Sequence, residues 1–87
     1  MQLHSWVAVG ATNSFILKFD TGEIQLWTPS PITPGIPTVS SLPLSSDQYE
    51  ALSPNVVTTD PESVESTIRT MVAECRNTLD AIAVELP

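Results

Sequence analysis

His4, Asp20 and Cys75 are the side chains in this sequence best suited to carry chemistry, and they stand far apart along the chain. A cysteine with a histidine base would make an activated nucleophile. The sequence argues against that pair. Cys75 falls within a run of apolar residues at helical spacing, where a thiol behaves as a small hydrophobe and its pKa rises. His4 is the lone histidine and Cys75 the lone cysteine, so no His/Cys metal site can be built, and neither metal nor cofactor is expected. Ten acidic residues face Lys18, Arg69 and Arg76, a net charge of −7. Such a surface repels phosphate backbones and anionic lipid, so the reading is no nucleic acid and no membrane as partner. A nucleic-acid mimic would also be acidic, but the acids here are thinly spread.

Asp20-Thr21-Gly22 follows an apolar stretch, and that tripeptide resembles the signature of aspartic proteases, which in retroviral-type chains pair two carboxylates by dimerising. The resemblance stops there. Glu23 stands where those enzymes carry a small residue, and no glycine follows Gly35 to build a flap. A hairpin turn with glycine at positive φ accounts for the tripeptide. Pro31, Pro34 and Pro37 have the spacing read by proline-binding grooves, but no Lys or Arg lies between Lys18 and Arg69 to complete such a motif. The chain is therefore expected to bind rather than to catalyse.

The elements that must position these residues are legible in outline. Eighty-seven residues, 41% of them hydrophobic, allow one domain with a thin stability margin. Leu3 to Val9 alternates, with Leu3, Val7 and Val9 on one face beside Ser5, and His4, Trp6 and Ala8 on the other. Gly10 to Asn13 breaks the pattern. Phe15–Phe19 and Ile24–Trp27 predict a hairpin. A two-residue Thr21-Gly22 loop would set Phe19 against Ile24 and Leu17 against Leu26, gathering Phe15, Leu17, Phe19, Ile24 and Leu26 on one face. A register one residue off would oppose Leu17 to Gln25 and scatter that set.

Thr28 to Leu44 is an uncharged proline-serine segment, expected to be extended and stiff, and to lie along a surface through Ile32, Ile36, Val39 and Leu42. Ser45 with Gln48 forms a capping-box pattern and Leu44 with Tyr49 a staple, which opens a short helix. Asp60 as N-cap and Pro61 at the first position open a second helix. Val64, Ile68, Met71, Val72, Cys75, Leu79, Ile82 and Leu86 follow the 3.6 period, with Glu65–Arg69 and Arg76–Asp80 as i,i+4 pairs. A helix from Pro61 to Leu86 would run about 39 Å at 1.5 Å per residue, longer than a small sheet can cover. The expectation is an α+β fold in one domain of residues 1–87. It comprises a three-stranded antiparallel sheet (1–28), a proline-rich linker (29–44), a short helix (45–53) and a long C-terminal amphipathic helix (60–86).

Leu42-Pro43-Leu44-Ser45-Ser46-Asp47-Gln48-Tyr49-Glu50-Ala51-Leu52 resembles a segment recurrent in phage tail-fibre assembly chaperones, where a short apolar strand runs into a capped acidic helix. The resemblance implies a small protein that caps or folds the end of a trimeric fibre and can stay bound. The expected function is a non-enzymatic, protein-binding subunit, a tail-fibre chaperone or fibre-associated virion protein; the alternative is a small acidic inhibitor of a host enzyme or defence system. Leu79, Ile82, Leu86, Ile32 and Ile36 are the expected partner-binding residues, with self-association as one use of them. Lone Cys75, the want of a basic, apolar start at Met1 to Trp6, and the want of an apolar run of roughly 20 residues lead to the expectation of a chain retained inside a cell or a particle assembled there, which under the resemblance means host cytoplasm or a virion.

Overall fold

In the computed structural model, which describes residues 1–33 and 35–76, the chain is a small β-rich domain. Its strands are β1 (Leu3–Val9), β2 (Ser14–Phe19), β3 (Ile24–Thr28), β4 (Thr38–Ser41) and β5 (Asn55–Val56). They form one antiparallel sheet in the order β4-β3-β2-β1-β5. Helix α1 (Ser46–Glu50) lies in sequence between β4 and β5, and α2 (Pro61–Ala73) follows β5. The expected α+β fold with three strands and a long terminal helix is thus replaced by five strands and one helix of 13 residues.

The two added strands come from stretches without an alternating apolar pattern. β4 lies inside the proline-rich segment, all four of its residues exposed, and pairs Thr38 with Thr28 and Val39 with Trp27. Its strand conformation comes from the open edge of β3, with Pro37 and Pro43 just outside, where their missing N–H groups cost no ladder bond. β5 is only two residues long and pairs Val56 with Ser5 and Asn55 with Trp6.

The hairpin register differs from the expected one. Leu17 opposes Gln25, Ile16 opposes Leu26 and Phe15 opposes Trp27. The loop has three residues: Gly22 N–H donates to the Phe19 carbonyl and Phe19 N–H to the Glu23 carbonyl, both at 2.9 Å, with Gly22 at φ 90°. Glycine takes the left-handed position that a three-residue hairpin loop requires. The apolar set is not gathered on one face because both faces of the sheet are covered. Phe15, Leu17, Phe19 and Trp27 pack with Val64, Ile68, Met71 and Val72 of α2, while Ile16 and Ile24 pack with Tyr49 of α1. A strand buried on both sides reads as a nearly continuous apolar run, which Phe15-Ile16-Leu17 is.

A bulge at His4 makes a second correction. Leu3 pairs with Phe19 but Ser5 with Lys18, so one residue of β1 is extra. The bulge rotates Leu3 onto the α2 face beside Trp6, away from Val7 and Val9, which border the other core.

Helix α2 starts as expected at Asp60, whose carboxylate accepts from Glu62 N–H at 3.3 Å, with Pro61 following. It does not run on through Cys75. Cys75 has φ 56°, its N–H donates to the Val72 carbonyl at 3.1 Å, and Arg76 N–H donates to the Met71 carbonyl at 2.8 Å. These two bonds form a Schellman termination, with Cys75 in the left-handed position usually held by glycine. A β-carbon there is strained by about 1–2 kcal/mol. Cys75→Gly is therefore expected to raise stability by about 1 kcal/mol. Thermal or urea unfolding checks it, and a destabilised variant would contradict this helix end.

Candidate functional site

The three side chains first considered for chemistry have structural surroundings of their own. Asp20 closes the β2–β3 turn onto the start of the chain. Its Oδ1 accepts from Gln2 N–H at 3.0 Å, and its own N–H donates to the Gln2 carbonyl at 2.8 Å. Asp20→Asn keeps an acceptor at that position, so stability is expected to change by less than about 1 kcal/mol. Binding by the chain should be unchanged, and a loss of activity in this variant would reopen a carboxylate mechanism. Cys75 is exposed at the end of α2, not buried in its stripe. His4 directs Nδ1 to Ser5 Oγ at 3.0 Å.

That contact belongs to a chain of polar groups which the sequence did not reveal. Ser5 Oγ lies 2.8 Å from Tyr49 Oη, with Ser5 and Tyr49 both fully buried. Serine beside histidine has the residue types of a nucleophile and base, but a fully buried hydroxyl already bonded to a phenol presents no oxygen to a substrate. What these groups do is tie α1 to the second face of the sheet. Burial pushes the Tyr49 phenol above its ordinary pKa of 10.0, opposed by the Ser5 hydrogen bond and reinforced by Glu50. Lys18 adds to the seat, its Nζ 5.5 Å from the centroid of the Tyr49 ring. Nothing in the spacing of Ser5 and Tyr49, 44 residues apart, could have signalled the pair.

The charged groups also depart from the helical pairing read in the sequence. Arg69 lies over Trp27, its guanidinium carbon 4.7 Å from the ring centroid, instead of pairing with Glu65. Trp27 Nε1–H donates to Gln25 Oε1 at 2.9 Å, so the indole is covered on its face and satisfied at its edge. Arg76 pairs with Glu74 at 2.8 Å; Asp80 lies outside the described residues. Among the described residues no group of His, Cys, Asp and Glu is placed to hold a metal ion. No described helix is long and apolar enough to cross a membrane. A cavity of ≈ 90 Å³ between Met1, Gln2, Leu3, Pro61, Glu62 and Glu65 has room for a few waters.

Of the expected partner-binding residues, Ile32 is 89% exposed and Ile36 59%, both in the segment that leads into β4. The linker is thus divided. Its last part is held in the sheet, and Leu42 and Leu44 pack against the Tyr49 core, while Ile32 and Ile36 stand in solvent. Leu79, Ile82 and Leu86 lie outside the described residues.

A further surface, not anticipated from the sequence, is the outer edge of β4. Leu42 N–H donates to the Ile24 carbonyl at 2.9 Å, so Ile24–Leu42 is a hydrogen-bonded pair. By the two-residue alternation of an antiparallel ladder Leu26–Ser40 is another. Val39 and Ser41 therefore turn their N–H and carbonyl groups away from β3. The β-branched pair Thr38-Val39 between two prolines was the signal available for this strand.

These features define a class in structural terms alone: a five-stranded antiparallel domain with a helix on one face, a helical turn on the other, and an uncharged open edge. No known family, curated protein or solved structure matches the chain.

Proposed function

We propose that this chain is a non-enzymatic, protein-binding subunit whose contact surface runs from Ile32 into β4. The observation that carries the reading is the exposure of Ile32, Ile36 and Val39, at 89%, 59% and 45%, in a stretch that ends at an open strand edge. Full burial of an isoleucine contributes roughly 1.5–3 kcal/mol, and an edge strand offers unpaired backbone groups to the same partner. A trimeric fibre or another phage virion component is the partner that the resemblance of Leu42–Leu52 suggests. Within that segment Leu42, Leu44 and Tyr49 serve the chain's own core, so a partner would meet the exposed residues upstream of it.

Replacing Ile32 and Ile36 together by Asp tests the reading. The double variant is expected to keep its fold, because neither side chain is in a core. Affinity for a captured partner should fall on the order of a hundredfold or more, from the two lost apolar contacts. The measurement is quantitative mass spectrometry of proteins retained by the wild-type and variant chains. Identical sets of retained proteins would overturn the proposal.

A further inference from the structure

We infer that the open edge of β4 pairs antiparallel with the same edge of a second copy of this chain, making one continuous sheet across a two-fold axis. The inference rests on the reading of this surface as an interface and names the partner.

Three observations carry it. The first is the set of groups the edge presents. Val39 and Ser41 each turn an N–H and a carbonyl outward, and among the described residues no other segment bonds to them. The opposite edge is blunted by the brevity of β5, which has two residues. β4 has no such protection, since it carries no charge and no proline between Thr38 and Ser41.

The second is symmetry. The stretch Pro37-Thr38-Val39-Ser40-Ser41-Leu42-Pro43 places a proline three residues to each side of Ser40. If Ser40 faces Ser40 of the second copy, Val39 meets Ser41 and Ser41 meets Val39, and each pair exchanges two hydrogen bonds. The next outward positions bring Pro37 against Pro43, neither of which has an N–H to donate. Sliding the register by two residues would instead set Val39 or Ser41 against one of these prolines and leave that residue's carbonyl without a donor. The prolines thus bracket four bonds and favour the register that pairs every outward group of Val39 and Ser41, an isologous contact like any antiparallel self-pairing.

The third is charge. Each copy carries −7, which opposes self-association across most of the surface. No charged side chain lies between Glu23 and Asp47, so β4 lies within the longest neutral stretch in the chain. A like partner can approach there with least repulsion, and added salt should strengthen the contact. One strand per copy buries well under the roughly 1,200 Å² of a standard stable interface, so the dimer is weak and concentration-dependent.

Sedimentation of the wild-type chain over a concentration series up to the millimolar range, with amide exchange measured at both ends, tests the inference. A monomer–dimer equilibrium is expected, with the Val39 and Ser41 amides protected at high concentration and free when dilute. Ser41→Pro removes only an outward N–H, so the β3–β4 ladder survives. Loss of two of the four bonds should raise the dissociation constant on the order of thirtyfold. Val39→Lys leaves every backbone group in place and should weaken the dimer too, which decides the matter if the proline variant does not fold. A wild-type chain that stays monomeric throughout overturns the inference, as does a dimer that both variants leave intact. A monomer that still retains another protein, lost in Val39→Lys, overturns the second copy as occupant while sparing the protein-binding reading. A monomer whose retained proteins also ignore Ile32→Asp with Ile36→Asp overturns both.

Discussion

Tyr49→Ala is expected to lower stability by about 3–5 kcal/mol, the cost of truncating a buried aromatic side chain. Tyr49 is the largest fully buried side chain on the second face of the sheet, held against Ile16 and Ile24 with Leu42, Leu44, Leu26, Val7 and Val9 around it. Removal leaves a cavity under α1, a helix of five residues with too few contacts of its own to collapse into it. A domain of this size sits near the lower end of the usual range of roughly 5–15 kcal/mol, so the variant should be largely unfolded or close to it at room temperature. Tyr49→Phe separates packing from hydrogen bonding. It keeps the ring and loses the bond to Ser5, whose hydroxyl retains His4 Nδ1 as a neighbour. The expected cost is about 1 kcal/mol, a fall of about 4–8 °C in melting temperature for a domain this small. Calorimetry or circular dichroism on both variants checks the pair. Two equal losses would mean that the hydroxyl, not the ring, holds α1 in place.

The same residue sets an alkaline limit. The Tyr49 phenol is raised above 10.0 in the folded chain by burial. Above about pH 10 the unfolded chain therefore releases this proton before the folded one, and stability falls as pH rises through that range. Below the unfolded value both states hold the proton and the contribution is complete. Tyr49→Phe should flatten this part of the stability–pH curve. An unchanged alkaline slope would assign it to another group.

Ile68→Asp is the substitution with the other large expected effect, and it concerns the opposite face. Ile68 is fully buried where α2 meets Phe15, Leu17, Phe19, Trp6 and Trp27. Loss of the apolar side chain alone costs about 2–5 kcal/mol, and an unpaired carboxylate in that setting adds a further penalty of several kcal/mol. The nearest cation along the helix, Arg69, is engaged over Trp27 and is exposed. The variant is expected to be unfolded by circular dichroism at neutral pH. Arg69→Ala is the control, with an expected loss of about 0.5–1 kcal/mol from the ring contact. A folded Ile68→Asp chain would show that the sheet is stable without its helix layer.

Local chemistry determined a definite part of this protein. The strands from Leu3, Phe15 and Ile24, the Ser45–Gln48 capping box and the Asp60-Pro61 helix start follow from alternation, side-chain acceptors and the fixed φ of proline, all of which act within a few residues. The exposure of Ile32 and Ile36 is not among these, because their apolar character points to a segment lying along a surface, and neither side chain finds one.

The tertiary structure decided the rest, wherever two distant segments compete for the same groups. The hairpin register turned on whether one face or two would be buried, and that depended on Tyr49 arriving from outside the hairpin. β4 and β5 exist because β3 and β1 offer open edges; the β-branched pair Thr38-Val39 favours a strand but does not record the edge it joins, and Asn55–Val56 carries no such signal. The end of α2 shows the same limit in miniature. The apolar period continues past Cys75, but the chain leaves the helix there through two backbone bonds, and backbone bonds leave no trace in side-chain periodicity.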